Sequence, residues 1–232
     1  MEKKIKQIQT AIFTRNFSIN DDVRRAELLT KINEHARSIF NALPNQLPIP
    51  SNAPPEFPRF VLNSLDGKFS CNVSPVRSDV FYNIPEVDSA FENISVLLET
   101  QKNNALNIFN FLVNEAIEVA RIGFIVVAEI TLDEEDETAN NYLKKEFIQS
   151  NKFNKPKELS FRFNRAGNSG NFEMNNLVTI DGKGGNIIII QTDINTIAEI
   201  MDSAHLKADN FNEIISYAID RTCDFIKDFP NI

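Results

Sequence analysis

The stretch from Pro58 to Val73 constrains this chain more than any other. Side chains along a strand point alternately to its two faces. By that alternation Phe60, Leu62 and Ser64 share one face of a strand, and Arg59, Val61 and Asn63 the other. Phe69, Cys71 and Val73 likewise oppose Ser70, Asn72 and Ser74. Between the two runs stands Asp66-Gly67, and a glycine there admits the positive φ that a tight hairpin turn requires. The stretch therefore predicts a β-hairpin, with a third strand following over Ser78 to Asn83.

The elements before and after it can be read in the same way. Ile8 to Phe17 predicts a first strand, apolar on both faces and so interior to a sheet. Asn20-Asp21-Asp22 supplies capping side chains and negative charge at a helix start. Val23, Leu28, Leu29, Ile32, Ala36, Ile39, Phe40 and Leu43 then recur at helical spacing, giving a helix that Pro44 ends. Pro44, Pro48, Pro50, Pro54, Pro55 and Pro58 remove so many donors that residues 44–58 predict a stiff connector without regular structure. Their spacing has no repeat that would favour a proline-docking motif. Ser89 with Glu92 predicts a capping box. It opens a long helix with Phe91, Ile94, Leu97, Leu98, Ala105, Ile108, Phe109, Leu112, Val113 and Ala116 inward.

From Arg121 the pattern starts again. Ile122 to Leu132 is a strongly apolar strand, and a helix follows through Tyr142, Leu143, Phe147 and Ile148. Three strands come next, over Glu158 to Arg165, Phe172 to Asp181 and Gly185 to Thr192. A last helix begins near Asn210 and turns Phe211, Ile214, Ile215, Ala218, Ile219, Phe225 and Ile226 inward. The order β-α-β-β-β-α thus runs twice, and Phe60-Val61-Leu62-Asn63 echoes Phe161-Arg162-Phe163-Asn164. Such a repeat predicts internal duplication. The expected fold is α+β, with halves 1–119 and 120–232 in one compact unit, mainly antiparallel sheets and helices packed on one face. The alternative is a single helix-grip-like sheet wrapped around the C-terminal helix.

Several chemistries find little support in the residues. A net charge of −8 argues against a nucleic-acid backbone as ligand. No apolar run approaches the ~20 residues of a membrane span, and no apolar signal core follows the basic N-terminus, so a cytoplasmic protein is expected. Cys71 and Cys223 lack metal spacing and a CxxC arrangement and read as buried free thiols. Asp181-Gly182-Lys183-Gly184-Gly185 precedes an apolar strand, which makes it a hairpin turn rather than a phosphate loop. The acidic run Asp133 to Glu137 has no glycine to bend a metal loop and suits a helix start instead. His35 and His205 have no partner at ligand spacing, and no Gly-x-Ser-x-Gly elbow occurs. No catalytic residue, metal site or cofactor is predicted, and the balance leans away from an enzyme. The candidate ligand or partner residues are Arg59, Asn63, Asn72 and Arg77 in the first half and Arg162 and Asn164 in the second. They are polar positions expected on sheet faces opposite the helices, and the arginine forks suit carboxylate or phosphate.

Around the hairpin the chain resembles a sporadically distributed family of uncharacterised bacterial proteins, usually somewhat longer. The similar signature is Pro58-Arg59-Phe60, then Ser64-Leu65-Asp66-Gly67, then Arg77 and Asn83. The element order also matches. Ile84 stands where that family often has Trp, and the second half diverges. The resemblance carries no activity; the family's patchy distribution implies genes on mobile or defence-associated segments. The expected function is a non-enzymatic protein-interaction subunit or inhibitor in a bacterial defence or toxin–antitoxin-like system. Its expected partner is another protein, and a homo-oligomer is compatible with the same surface. The alternative is a small anionic ligand or nucleotide bound by Arg59, Arg77 or Arg162 in a deep pocket. A hydrolase or nuclease ranks third.

Overall fold

The structure, a computed structural model, describes residues 1–15, 17–19, 21–50, 52–133, 138–148, 156–197 and 206–230. It is α+β. Nine strands form one antiparallel sheet: β1 (Glu2–Arg15), β2 (Asn45–Gln46), β3 (Phe60–Asn63), β4 (Phe69–Val73), β5 (Arg77–Asn83), β6 (Glu118–Thr131), β7 (Ser160–Ser169), β8 (Phe172–Gly182) and β9 (Ile187–Thr196). Four helices are described: α1 (Asp22–His35), α2 (Ile94–Asn114), α3 (Ala139–Phe147) and α4 (Ala208–Asp228). The strand order is β2-β3-β4-β5-β1-β6-β9-β8-β7, so the two longest strands, β1 and β6, pair at the centre.

Register sorts the side chains. One cross-strand row runs Leu62, Cys71, Val80, Thr10, Phe124, Ile194 and Asn176, and all seven are buried. Residues of this face share a hydrophobic cluster with Leu97, Leu98, Ala105, Ile108 and Phe109 of α2 and Phe211, Ile214 and Ile215 of α4. A second cluster joins Val178, Ile180, Ile188 and Ile190 to Tyr142 and Leu143 of α3. Each fully buried side chain of this size contributes about 1.5–3 kcal/mol. Two polar ties locate the long helices on the sheet. Fully buried Gln101 donates from Nε2 to the Val80 carbonyl at 2.7 Å and to Thr10 Oγ1 at 3.1 Å. The Thr192 and Thr222 hydroxyls bond at 3.1 Å, also fully buried.

Local chemistry explains several boundaries. The hairpin forms as expected, with Gly67 at φ 72° and Ser64 Oγ donating to Asp66 Oδ1 at 2.6 Å. The glycine-rich segment is the β8–β9 turn, with Gly185 at φ 75°. Asp21 caps α1, accepting from the Arg24 N–H at 2.8 Å. That helix stops at His35, earlier than its apolar stripe suggests, and Val23 and Leu43 are exposed. The connector before β3 holds one short regular element, the two-residue strand β2. It runs over Asn45–Gln46, between prolines, where both donors survive. The capping box at Ser89 does not form. Ser89 Oγ donates to the Glu86 carbonyl at the end of one 3-10 turn, Glu86–Asp88, a second follows over Phe91–Asn93, and α2 begins only at Ile94. Nor does α2 reach Ala116: that residue has φ 55°, outside helical geometry, and Val113 is exposed. The start of the acidic run, Asp133, pairs with the N-terminal ammonium. Residues 134–137, Asn20 and His205 lie outside the described residues. Cys71 is buried, Cys223 is half-buried, and both are free thiols. No described helix is long and apolar enough to cross a membrane.

Candidate functional site

The other set of alternating side chains forms the second face of the sheet. One row there runs Asn63, Ser70, Phe81, Gln9, Ile125, Asp193, Leu177 and Asn164. The next runs Val61, Asn72, Asp79, Ala11, Gly123, Asn195, Asn175 and Ala166. Beyond it Arg77, Phe13 and Arg121 stand side by side on β5, β1 and β6.

This last trio is the most organised group on the face. The Arg77 guanidinium carbon lies 5.5 Å from the Phe13 ring centroid and that of Arg121 lies 5.0 Å away, within cation–π range. Asp79 holds one side. It accepts from Arg77 Nε at 2.7 Å and from Gln9 Nε2 at 2.8 Å, and it is almost fully buried. On the other side Arg121 Nη2 donates to Asn195 Oδ1 at 2.6 Å, and Asn195 Nδ2 donates to Asp193 Oδ1 at 2.9 Å. Among the described residues Arg121 Nε, which is buried, has no hydrogen-bond partner. Ala11 and Gly123, directly opposite each other, leave a shallow floor between the two polar groups. The carboxylates orient the arginines, and the arginines clamp the ring. The result is a rigid, half-exposed cation–aromatic patch of the kind that anchors binding interfaces.

Sequence-predicted site residues distribute unevenly around this patch. Arg77 belongs to it and Asn72 lies in the adjoining row. Asn63 and Asn164 end one row on opposite sides of the sheet, and Arg162 lies at the same edge as Asn164, opposite Thr179. Strands stand about 4.8 Å apart, so Asn63 and Asn164, at the ends of the order β3 to β7, are separated by roughly 33 Å. Arg59 differs from the other five. It is 1% exposed, and Nη1 and Nη2 donate to the carbonyls of Phe57 and Ala53 at 3.1 and 3.2 Å. Its guanidinium is turned into the proline-rich segment.

No family model and no curated protein matches the chain. The site therefore rests on geometry alone. Gln9, Phe13, Asp79, Arg121 and Asn195 are not among the site residues that the sequence predicts. Two signals were present: Arg77 and Asp79 are two apart on one strand, hence on one face, and Gln7, Gln9 and Phe13 alternate against Ile8 and Ile12. Arg121 and Asn195 gave no signal, because only the β1–β6 and β6–β9 registers bring them to Phe13. Among the described residues no three His, Cys, Asp or Glu side chains come together as a metal site.

Proposed function

We propose that this protein is a non-enzymatic interaction subunit or inhibitor that receives a partner protein on the second face of its sheet, in a cytoplasmic bacterial defence or toxin–antitoxin-like setting. The spread of polar candidates carries this reading. Arg77, Asn63, Asn72, Arg162 and Asn164 share a face tens of ångströms wide and do not converge on one pocket. A typical partner footprint of about 800 Å² has that breadth. The Arg77–Phe13–Arg121 group supplies the aromatic and arginine anchors that dominate such footprints. Two free thiols accord with a reducing compartment.

The same reading includes duplication, with the helices of both halves on the face opposite the partner. Counted inward from β3, the strands run β3-β4-β5-β1; from the other edge they run β7-β8-β9-β6, the matching elements in the matching order. The row ending in Asn63 and Asn164 has its midpoint between Gln9 and Ile125. The Phe60–Asn63 echo of Phe161–Asn164 therefore falls into register about a local two-fold axis.

Affinity purification from the native host, followed by cross-linking and mass spectrometry, tests the interaction. One stoichiometric protein is expected, cross-linked to second-face residues and lost from the Phe13→Ala, Arg121→Glu double variant. Recovery of the same protein by that variant, with its circular dichroism unchanged, would refute this surface. A small anionic ligand is the second reading, favoured by the two guanidiniums beside one ring. Thermal stabilisation by nucleotides or acyl anions, abolished by Arg121→Glu, is its expected signature.

A further inference from the structure

The two edges of the sheet are finished differently. At one, β2 covers part of β3, Leu47 N–H donates to the Arg59 carbonyl, and the proline-rich segment follows. This is a blunted edge. At the other lies β7, ten residues long, exposed at Ser160, at Arg162 through Ala166 and at Asn168. Its inward groups can be assigned. Gly182 N–H donates to the Leu159 carbonyl opposite it, so the odd-numbered residues of β7 face β8. The Arg165 carbonyl accepts from Asn176 Nδ2, as this parity requires. The backbone groups of Ser160, Arg162, Asn164, Ala166 and Asn168 therefore point off the sheet, and no described residue pairs with them.

The side chains of this edge define what suits it. From Ser160 to Ser169 there are two arginines and no acidic residue, in a chain of net charge −8. Phe163 is 41% exposed between Arg162 and Arg165. Arg165 borders a cleft of about 180 Å³ against α4, whose wall includes Tyr217 and Arg221. Arg221 lies over the Tyr217 ring at 5.5 Å and stands 3.5 Å from Asp224. Asn176, 5% exposed, also lines the cleft, and its Oδ1 is buried without a hydrogen-bond partner among the described residues.

We infer that β7 accepts an extended acidic segment of a partner protein as a tenth, antiparallel strand. The register assigns its chemistry. A carboxylate opposite Arg165 reaches the mouth of the cleft near Arg221, and a second, three residues on, meets Arg162 on the second face. A β-branched residue between them covers Phe163. Backbone bonds supply the docking and the two charge pairs the selectivity. A second copy of this chain fits less well. A two-fold axis at Arg162 or Arg165 sets like charges directly opposite, and an axis at Phe163 or Asn164 leaves an arginine pair on the diagonal.

The probe is an acetylated, fluorescently labelled peptide with the core Thr-Glu-Thr-Val-Glu-Val, titrated at low salt and read by anisotropy. Two control peptides replace both Glu by Lys or N-methylate alternate amides. Saturable binding of the Glu peptide is expected, with each control weaker by roughly tenfold or more. Arg162→Glu and Arg165→Glu lie on an exposed strand and are expected to weaken it similarly. Phe13→Ala, on the separate second-face patch, is expected to leave it unchanged, which separates failure here from failure of the second-face reading. Residue-resolved amide exchange is expected to show new protection at Arg162, Asn164 and Ala166 and none at Phe163 or Arg165. Equal binding of the Glu and Lys peptides, or none at millimolar concentration, overturns the inference. So does protection of the same even-numbered amides in the free protein together with a doubled mass in solution, which gives the edge to a second copy.

Discussion

Arg59 tests whether a conspicuous arginine serves the surface or the fold. Its side chain is buried, and its guanidinium makes two hydrogen bonds, to the Phe57 carbonyl at 3.1 Å and the Ala53 carbonyl at 3.2 Å. Among the described residues no carboxylate pairs with it. Hydrogen bonds to a charged group contribute about 1.5–3 kcal/mol each. Against that stands the desolvation of a buried cation, several kcal/mol that Arg59→Met would recover. Phe57 is 52% exposed and Ala53 half-buried, so both freed carbonyls can regain water. The expected net loss for Arg59→Met is therefore about 2 kcal/mol, and Arg59→Lys should also lose stability, because an ammonium keeps the charge but cannot reproduce the planar fork. For a slope of about 2–3 kcal/mol per molar urea, the midpoint should fall by roughly 0.7–1 M. Limited proteolysis should speed up within residues 52–58. An Arg59→Met protein that unfolds within about 0.5 kcal/mol of the parent but loses its partner would refute this reasoning and restore Arg59 as a binding residue.

Other outcomes follow from the same contacts. Burial pushes the Cys71 thiol far up, with Asp79 adding to the effect, and burial also raises half-buried Cys223. A thiol reagent at pH 8 should label Cys223 slowly and Cys71 only on unfolding; prompt labelling of Cys71 would contradict its place in the core. Thr222→Val should cost about 1–2 kcal/mol by leaving the buried Thr192 hydroxyl without its partner, while the Thr192→Val, Thr222→Val double variant should recover much of the loss. Additive losses in urea unfolding would deny the bond. Asp66 is held below the usual carboxylate range first by the Ser64 hydroxyl and then by the Lys68 N–H. A lowered carboxyl stabilises the fold above its unfolded value of about 4 and loses that effect as pH falls through the lower folded value. The stability gap between the parent and Asp66→Asn should therefore be full at neutral pH and close in acid. A gap independent of pH would show that the charge is immaterial.

How much was legible differs from element to element. The hairpin was, because Asp66-Gly67 and the flanking alternation act within a few residues. The start of α2 was not. Ser89 and Glu92 have the spacing of a capping box, yet Ile5 N–H claims the Ser89 carbonyl at 2.7 Å and draws that residue onto the end of the sheet. Apolar residues begin to crowd only at Ile8, which predicts a strand starting there, but pairing with β6 carries β1 back to Glu2. Lys3 remains in the strand with its ammonium on the carbonyls of Ile226 and Lys227 at the end of α4. Long amphipathic side chains hide such contacts from a hydropathy pattern.

Sequence by itself determined the α+β content, the order of the elements and the polarity of alternating positions. These depend on backbone propensity, side-chain alternation and turn chemistry, all of which act over short stretches of chain. Tertiary structure decided the rest. It placed β1 against β6, chose the registers that stand Phe13 between Arg77 and Arg121, and sank Arg59 beneath the prolines. It also left β7 at the edge, with one side unpaired among the described residues. Register is chosen when nine strands bury one set of alternate side chains together against the helices, and a slip of one residue would reverse every face. No local stretch contains that information, so the residues that build a face were legible while their neighbours across it were not.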